Sequence, residues 1–358
     1  MATRLGSNDP PGTEYPFVSV VVPCRNEEAF IEGALGSILA NDWPAGRMEV
    51  LVIDGESDDG TREIIGRLAE GDGRVKLLDN PGRFAGAAMK IGVTAARGDY
   101  VLRVDAHAEI PPDYIRTGMA ILGERPDVWA VGGPVDRVAV DEAARLVAAI
   151  NSNIFSTGNT RVRVGRVEGP VDAVLYPIWP RALFDRVGEF DESLVRNQDD
   201  DFHYRVRRAG GVIYQSQKMR ARYYVRGSVR KLLRQYHQYA FWKVAVAKKH
   251  GRFLDWKPLA PPAFFGAVAA AAAAGFFWRG AWLVGGVLAA AYVAADVAAS
   301  AAVARKAGPA SFFRALGVFP VLHFQYAAGI ASGIWYSVIR GLDPPELKRI
   351  KKYSGLTR

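Results

Sequence analysis

Apolar and polar positions along the chain change period repeatedly, and each change predicts an element. Phe17–Pro23 is a β-branched run ending at proline, the pattern of a strand buried on both faces. Asn26 is placed to cap a following helix with Glu27 and Glu28 in its first turn. Phe30, Ala34, Leu35 and Ile38 give that helix an apolar stripe. Glu49–Asp54 predicts a second buried strand, followed by the turn-rich G-E-S-D-D-G and a helix carrying Ile64, Ile65 and Leu68. Val75–Leu78 reads as a short third strand, Ala85–Ala96 as a helix and Tyr100–Asp105 as a fourth strand. Strands alternating with helices at this spacing predict an α/β parallel sheet, whose ligands gather at the carboxyl ends of the strands. Trp129–Gly133 and Val174–Trp179 predict further strands, and Asn151–Gly165 a polar loop. A helix carrying Asp199, Asp200 and Asp201 ends at Ala209-Gly210-Gly211, where glycine suits the C-cap.

Beyond Gly227 the pattern changes. In Ser228–His250 basic residues alternate with Leu232, Leu233, Tyr236, Tyr239, Phe241 and Val244 at helical spacing, which predicts an interfacial helix on a bilayer, with a core-packing helix as the other reading. Three apolar stretches follow, about Leu259–Trp278, Ala281–Ala304 and Leu316–Ile339; the second is long enough to span a membrane. Asp296 within it is expected to face another helix or the interface. Arg305, Lys306 and Arg314, and the tail with Lys348, Arg349, Lys351 and Lys352, are expected on the cytoplasmic side. Three full spans would put that tail outside, and Pro320, His323 and Gln325 give the third stretch the option of re-entering or lying in the interface. The expected division is a flexible N-terminus (1–16), an α/β domain (17–227), the basic amphipathic interfacial helix (228–257), membrane-embedded helices (258–340) and a basic tail (341–358).

Composition sharpens two points. The net charge of +9 is concentrated late, with Arg226, Arg230, Lys231, Arg234, Lys243, Lys248, Lys249 and Arg252 in a segment without acids. Next to apolar spans, this block favours an anionic membrane surface over nucleic acid. The single cysteine, Cys24, excludes an intramolecular disulfide and a cysteine-based zinc site, and its strand context predicts an inert, packed thiol. The first residues lack an apolar core of the signal-peptide type, so the N-terminal domain is expected on the cytoplasmic side of a cell (inner) membrane that the chain crosses more than once.

Candidate chemistry concentrates in three acidic sites. Asp54 and Asp105 each end a predicted strand. Asp before Gly is also an ordinary turn residue, and His107 can equally be a solvated loop side chain. Asp105 and His107, two apart on an extended segment, can project together toward a Mg2+ or Mn2+ ion held with a diphosphate. The acid triplet in N-Q-D-D-D-F-H-Y-R can simply be an acidic helix start, or one member can be a general base. Nucleotide binding, metal binding and a base together describe transfer of a sugar or phosphoryl group from an activated nucleotide. Neither a phosphate-binding P-loop nor a G-x-S-x-G elbow is present in the sequence.

V-S-V-V-V-P-C-R-N-E-E, V-I-D-G-E-S-D-D-G-T, A-R-G-D-Y-V-L-R-V-D-A-H-A and Q-D-D-D-F-H-Y-R, in this order over roughly Phe17–Tyr239, resemble the motifs of family 2 inverting glycosyltransferases. D-A-H-A and R-N-Q-D-D-D-F resemble in particular the ExoA-type succinoglycan enzymes. The resemblance implies a GT-A fold, a Rossmann-like nucleotide-diphospho-sugar transferase domain, followed by an interfacial helix and a C-terminal transmembrane region. It implies nucleotide contacts at Pro23, Asn26, Glu27 and Asp54, metal and diphosphate contacts at Asp105 and His107, and Asp199 as catalytic base. Asp201 is then a supporting residue with Arg205 as its partner, and Arg234 and Gln235 match a later motif near donor and acceptor. Arg161 and Arg163, on the polar loop, are candidates to clamp a diphosphate by charge and location. Departures from the family pattern are Arg25 for a frequent aromatic, Gln198 for Glu, and Pro177 where Gly is common. The implied activity moves a hexose from a nucleotide sugar, UDP-glucose by the ExoA-type likeness, to a polyprenyl-diphosphate-linked saccharide, with Mg2+ or Mn2+ as cofactor and membrane lipid as partner. Direct transfer to polyprenyl monophosphate, and a non-catalytic membrane scaffold that binds nucleotide sugar, are the alternatives.

Overall fold

The computed structural model describes residues 15–157, 167–225, 227–253 and 256–354. Strands β1 (Val18–Cys24) and β2 (Met48–Asp54) are buried at every position, as their uninterrupted apolar runs require of central parallel strands. With β3 (Val75–Asp79) and β4 (Tyr100–Arg103) they form a parallel array in the order β3-β2-β1-β4. The chain continues through β5 (Ala108–Glu109), β6 (Val128–Gly133), β7 (Val135–Ala139), β8 (Gly169–Pro170), β9 (Leu175–Pro180), β10 (Val212–Gln215) and β11 (Ala221–Val225). β9 runs antiparallel between β4 and β6, and β10 and β8 complete an eight-stranded sheet. A second, three-stranded sheet in the order β5-β11-β7 stands beside it.

Helices cover both faces of the large sheet. On one side lie α1 (Ile31–Leu39), α2 (Thr61–Gly71) and, after α3 (Ala85–Ala95) on the other side, α4 (Tyr114–Glu124). Helix α5 (Glu142–Asn151) leaves the α/β domain toward the C-terminal helices, while α6 (Ala182–Val187) and α7 (Gln198–Arg208) join α3 on the second face. Phe184, Phe190 and Phe202 there enclose Trp179, with Phe190 and Phe202 stacked at 4.4 Å.

Helix α8 (Val229–His250) corrects the bilayer-lying reading of its apolar stripe. Leu232, Tyr236, Phe241, Trp242, Val244 and Val246 are buried by protein, because helical periodicity states that a face is covered without stating by what. Of the helices α9 (Ala260–Gly275), α10 (Arg279–Ala307) and α11 (Ser311–Gly333, extended by a π-helical stretch to Ile339), the last packs along α8. Gly329 and Gly333 permit that approach: a Cβ on Gly333 would sit 2.8 Å from Val244 Cβ, and one on Gly329 2.7 Å from Ala240 Cβ. With the helical turn before α9, all three stretches are long and apolar enough to cross a membrane. The α9–α10 turn leaves Phe276, Phe277 and Trp278 exposed at its tip, and α11 keeps Phe313, Val321 and Phe324 exposed opposite its packed face. The basic tail folds back: Leu347 and Tyr353 pack with Leu194, Val195, Phe241 and Trp242, and Trp242 Nε1 donates to Tyr353 O at 3.0 Å.

Candidate active site

Adjacent parallel strands bring Cys24 of β1 level with Asp54 of β2, so the loops after them meet. Asp54 is fully buried; it accepts from Ser57 N at 3.1 Å and from Arg62 at 2.7 Å, and Arg62 also reaches Asp79 at 2.8 Å. Asn26 does not cap α1, which starts at Ile31 with no side-chain cap. Its amide instead donates to Asp58 at 2.6 Å and accepts from Asp58 N at 3.1 Å, tying the two loops together. Left-handed φ values of 54° at Asn26 and 61° at Arg83 shape this end of the sheet. Glu27 is buried beneath His107, whose Nδ1 lies 3.1 Å from Glu27 Oε1.

Two clefts flank the start of α7, where Gln198 faces one and Asp199 the other. The first is lined by Pro23, Arg25, Asn80, Arg83, Phe84, Arg196 and Gln198. Three guanidinium groups around one opening favour an anionic ligand. Arg83 pairs with Glu56, and Arg196 binds Gln238 Oε1 at 3.3 Å. The second cleft is lined by Arg103, Asp105, Tyr176, Pro177, Trp179, Phe190, Asp199 and His203. Here the structure brings together Asp105 and Asp199, which stand far apart in the sequence. Arg103 lies between them in charge, binding Asp105 Oδ1 at 2.9 Å and acting on Asp199 through space. Burial, reinforced by the neighbouring Asp200 charge, raises the Asp199 carboxyl above the usual aspartate range, against a lowering pull from Arg103. A carboxylate shifted this way is a better proton acceptor near neutrality.

The rest of the acid triplet is held from α8. Lys243 Nζ meets Asp200 at 2.6 Å. Asp201, fully buried, receives Arg205 Nε at 3.1 Å, Lys249 Nζ at 3.0 Å and His250 Nε2 at 2.8 Å. Asp199 is thus the triplet member left facing a cleft, while its neighbours anchor the helix.

His203, one turn beyond Asp199, is buried and its pKa is pushed down to about 4 by desolvation, so its ring is neutral at physiological pH. Both ring nitrogens of His203, Tyr176 Oη and Trp179 Nε1 have no hydrogen-bond partner among the described residues. Each such buried group costs about 1–3 kcal/mol in a folded protein unless something completes it.

Asp105 and His107 carry oxygen and nitrogen donors of the kind a divalent cation accepts; Asp105 lines the second cleft, and His107, buried against Glu27 and Tyr223, lines neither. The Glu27 carboxylate behind Nδ1 is the arrangement that fixes the tautomer of a ligating histidine. No third His, Cys, Asp or Glu joins them among the described residues, so a bound ion would complete its shell from phosphate and water. Arg234 and Gln235 line neither cleft; Arg234 is exposed on α8 and Gln235 donates to Tyr239 Oη at 2.8 Å. Arg161 and Arg163 lie outside the described residues. Sequence reasoning missed Arg83, Arg103, Arg196 and His203. For Arg103 a signal existed: it stands two residues before Asp105 in extended chain, on the same face.

The family model described as Glycosyl transferase family 2 matches residues 19–168. The chain is similar to the succinoglycan biosynthesis protein ExoA of Rhizobium meliloti, with 31% identity over 70% of this chain and 77% of that protein. A Methanococcus voltae dolichyl N-acetyl-alpha-D-glucosaminyl phosphate 3-beta-D-2,3-diacetamido-2,3-dideoxy-beta-D-glucuronosyltransferase is 26% identical over 65% of this chain and 74% of its own length. Among solved structures, the Pyrobaculum calidifontis mannosyltransferase in complex with GDP-Man and Mn2+ superposes with a TM-score of 0.57 at 22% identity, covering 93% of this chain and 91% of that one. That likeness carries the fold.

Proposed function

The chain belongs to glycosyl transferase family 2, and from that premise we propose that it is an inverting, metal-dependent hexosyltransferase of polysaccharide or lipid-linked sugar synthesis. The observation that carries the mechanism is Asp199, raised in pKa and sharing a cleft with Asp105. Asp199 takes the proton of an acceptor hydroxyl as its oxygen attacks the anomeric carbon. The bond from that carbon to the diphosphate breaks, and an α-linked donor gives a β-linked product. Arg25, Arg83 and Arg196 line a cleft suited to the nucleotide, beside Pro23, while Asn26, Glu27 and Asp54 hold the loops that frame it. A divalent cation at Asp105 and His107 supplies charge neutralisation for the leaving nucleotide when bound.

UDP-glucose is the proposed donor and a polyprenyl-diphosphate-linked saccharide the proposed acceptor, by the ExoA-type likeness; the name of the dolichyl-linked enzyme supports only a lipid-linked saccharide as acceptor. Residues 17–227 form the proposed catalytic unit, and the three long apolar helices its membrane association at a cytoplasmic face. The packing of the tail on Leu194 and Val195 supports a place on the catalytic domain's side and an even number of full crossings. We assign two crossings to α9 and α10 and an interfacial position to α11, whose outer face presents Phe313, Val321 and Phe324 to lipid.

Donor hydrolysis across UDP-glucose, UDP-galactose, UDP-N-acetylglucosamine and GDP-mannose, with Mg2+, Mn2+ or chelator, tests this reading. The expected result is cation-dependent turnover, fastest with UDP-glucose, and release of a β-configured sugar by NMR. Chelator-insensitive turnover or retained α configuration contradicts it.

A further inference from the structure

We infer that the slot behind Asp199, walled by Tyr176, Trp179 and His203, is a subsite that reads a hydroxyl or hydroxymethyl arm of the hexose at the reaction centre. The inference rests on the glycosyltransferase reading of that centre and deepens it.

Tyr176, Trp179 and His203 are 2%, 1% and 3% exposed. They come from β9 and α7 yet line one cavity with Asp199, and their polar atoms find no partner among the described residues. Four unpartnered polar atoms on three residues around one cavity are hard to reconcile with pure packing, since buried polar groups are nearly always satisfied. Their chemistry is also complementary. The indole N–H only donates, the phenol gives and takes, and a neutral imidazole does both. Together they suit a hydroxyl, which must itself give and take. Away from Arg103, Asp105 and Asp199 the wall is apolar, formed by Val174, Leu175, Pro177 and Phe190, and suits the carbon that carries such a hydroxyl.

Charge narrows the ligand further. His203 is neutral, and among the described residues the one cation lining the slot, Arg103, is engaged by Asp105. Among the described residues a carboxylate or phosphate arm finds no counter-charge of its own, which favours a neutral polyol. The arm can belong to the donor sugar or to the acceptor sugar, and the test separates these sources.

The full chain, purified in detergent, is assayed as wild type, Trp179→Phe and His203→Phe. Trp179→Phe removes the N–H while keeping aromatic bulk, and remains informative if His203→Phe fails to fold. Donor hydrolysis is compared between UDP-xylose, which lacks the hydroxymethyl arm, and the best of UDP-glucose, UDP-galactose and UDP-N-acetylglucosamine. Transfer is compared between methyl β-glucoside and methyl β-xyloside as acceptors. The wild type is expected to discriminate against the pentose in one comparison, and each variant to narrow that ratio by on the order of tenfold, with UDP affinity unchanged. Narrowing in the donor ratio identifies the donor sugar, and narrowing in the acceptor ratio the acceptor. Turnover with both ratios unchanged overturns the slot alone and leaves it a site for water. Absence of any wild-type turnover overturns the reading of the reaction centre as well.

Discussion

Asp199 and Arg103 form the electrostatic unit on which the proposed chemistry turns. Burial and Asp200 raise the Asp199 carboxyl, and Arg103 holds it partly down. A base works deprotonated, so kcat/KM is lost as pH falls through this raised value, and the acid limb of the profile sits above the ordinary aspartate range. Arg103→Gln removes the lowering influence and is expected to move the limb to still higher pH; a limb that stays put or moves down contradicts the coupling. Asp199 was legible in the sequence as a candidate base because a motif fixed its register. Arg103 and His203 were not: an arginine in a strand and a histidine in a helix are unremarkable until β9 and α7 close around them. Asn26 misled for a related reason, since a cap and a cross-loop clamp use the same short amide.

The central strands were readable because parallel strands buried on both faces leave an unbroken apolar run. The second sheet was not. β5 has two residues, and β7 is mostly half-exposed, so neither shows a period, and their pairing with β11 joins segments roughly a hundred residues apart. Helix α8 illustrates a third limit: its pattern gave a helix and an apolar face, while the occupant of that face, α11 and the tail, could come only from tertiary structure. Its last turn grips Asp201, so the packing of α11 on α8 is linked through α8 to α7, the helix that carries Asp199. Gly333→Leu forces side-chain atoms into Val244 and is expected to destabilise by about 1–3 kcal/mol or more in chemical denaturation. Gly317→Ala, whose added Cβ meets nothing, is expected to stay within about 1 kcal/mol of wild type. Equal effects would show that the α8–α11 contact is not close-packed.

The whole chain is a catalytic domain locked onto a membrane-seeking base through α5, α8 and α11, and its C-terminal tail returns to the domain. Composition predicted the apolar helices, but their number of crossings depends on where the tail goes, which no hydropathy pattern states. Cysteines introduced at Gly46 and Arg349, both exposed, report the two ends, since the native Cys24 is buried. In sealed vesicles an impermeant maleimide is expected to label both from the same side. Labelling from opposite sides would mean an odd number of crossings.

The most direct measurement of the central claim is Asp199→Asn, assayed for both turnover and donor binding. Loss of roughly a thousandfold or more in kcat, with the nucleotide-sugar dissociation constant within about threefold of wild type by calorimetry, is the predicted result. Retention of most of the wild-type kcat would contradict Asp199 as the base; mild loss is also what a phosphate acceptor, which needs little help from a base, would give.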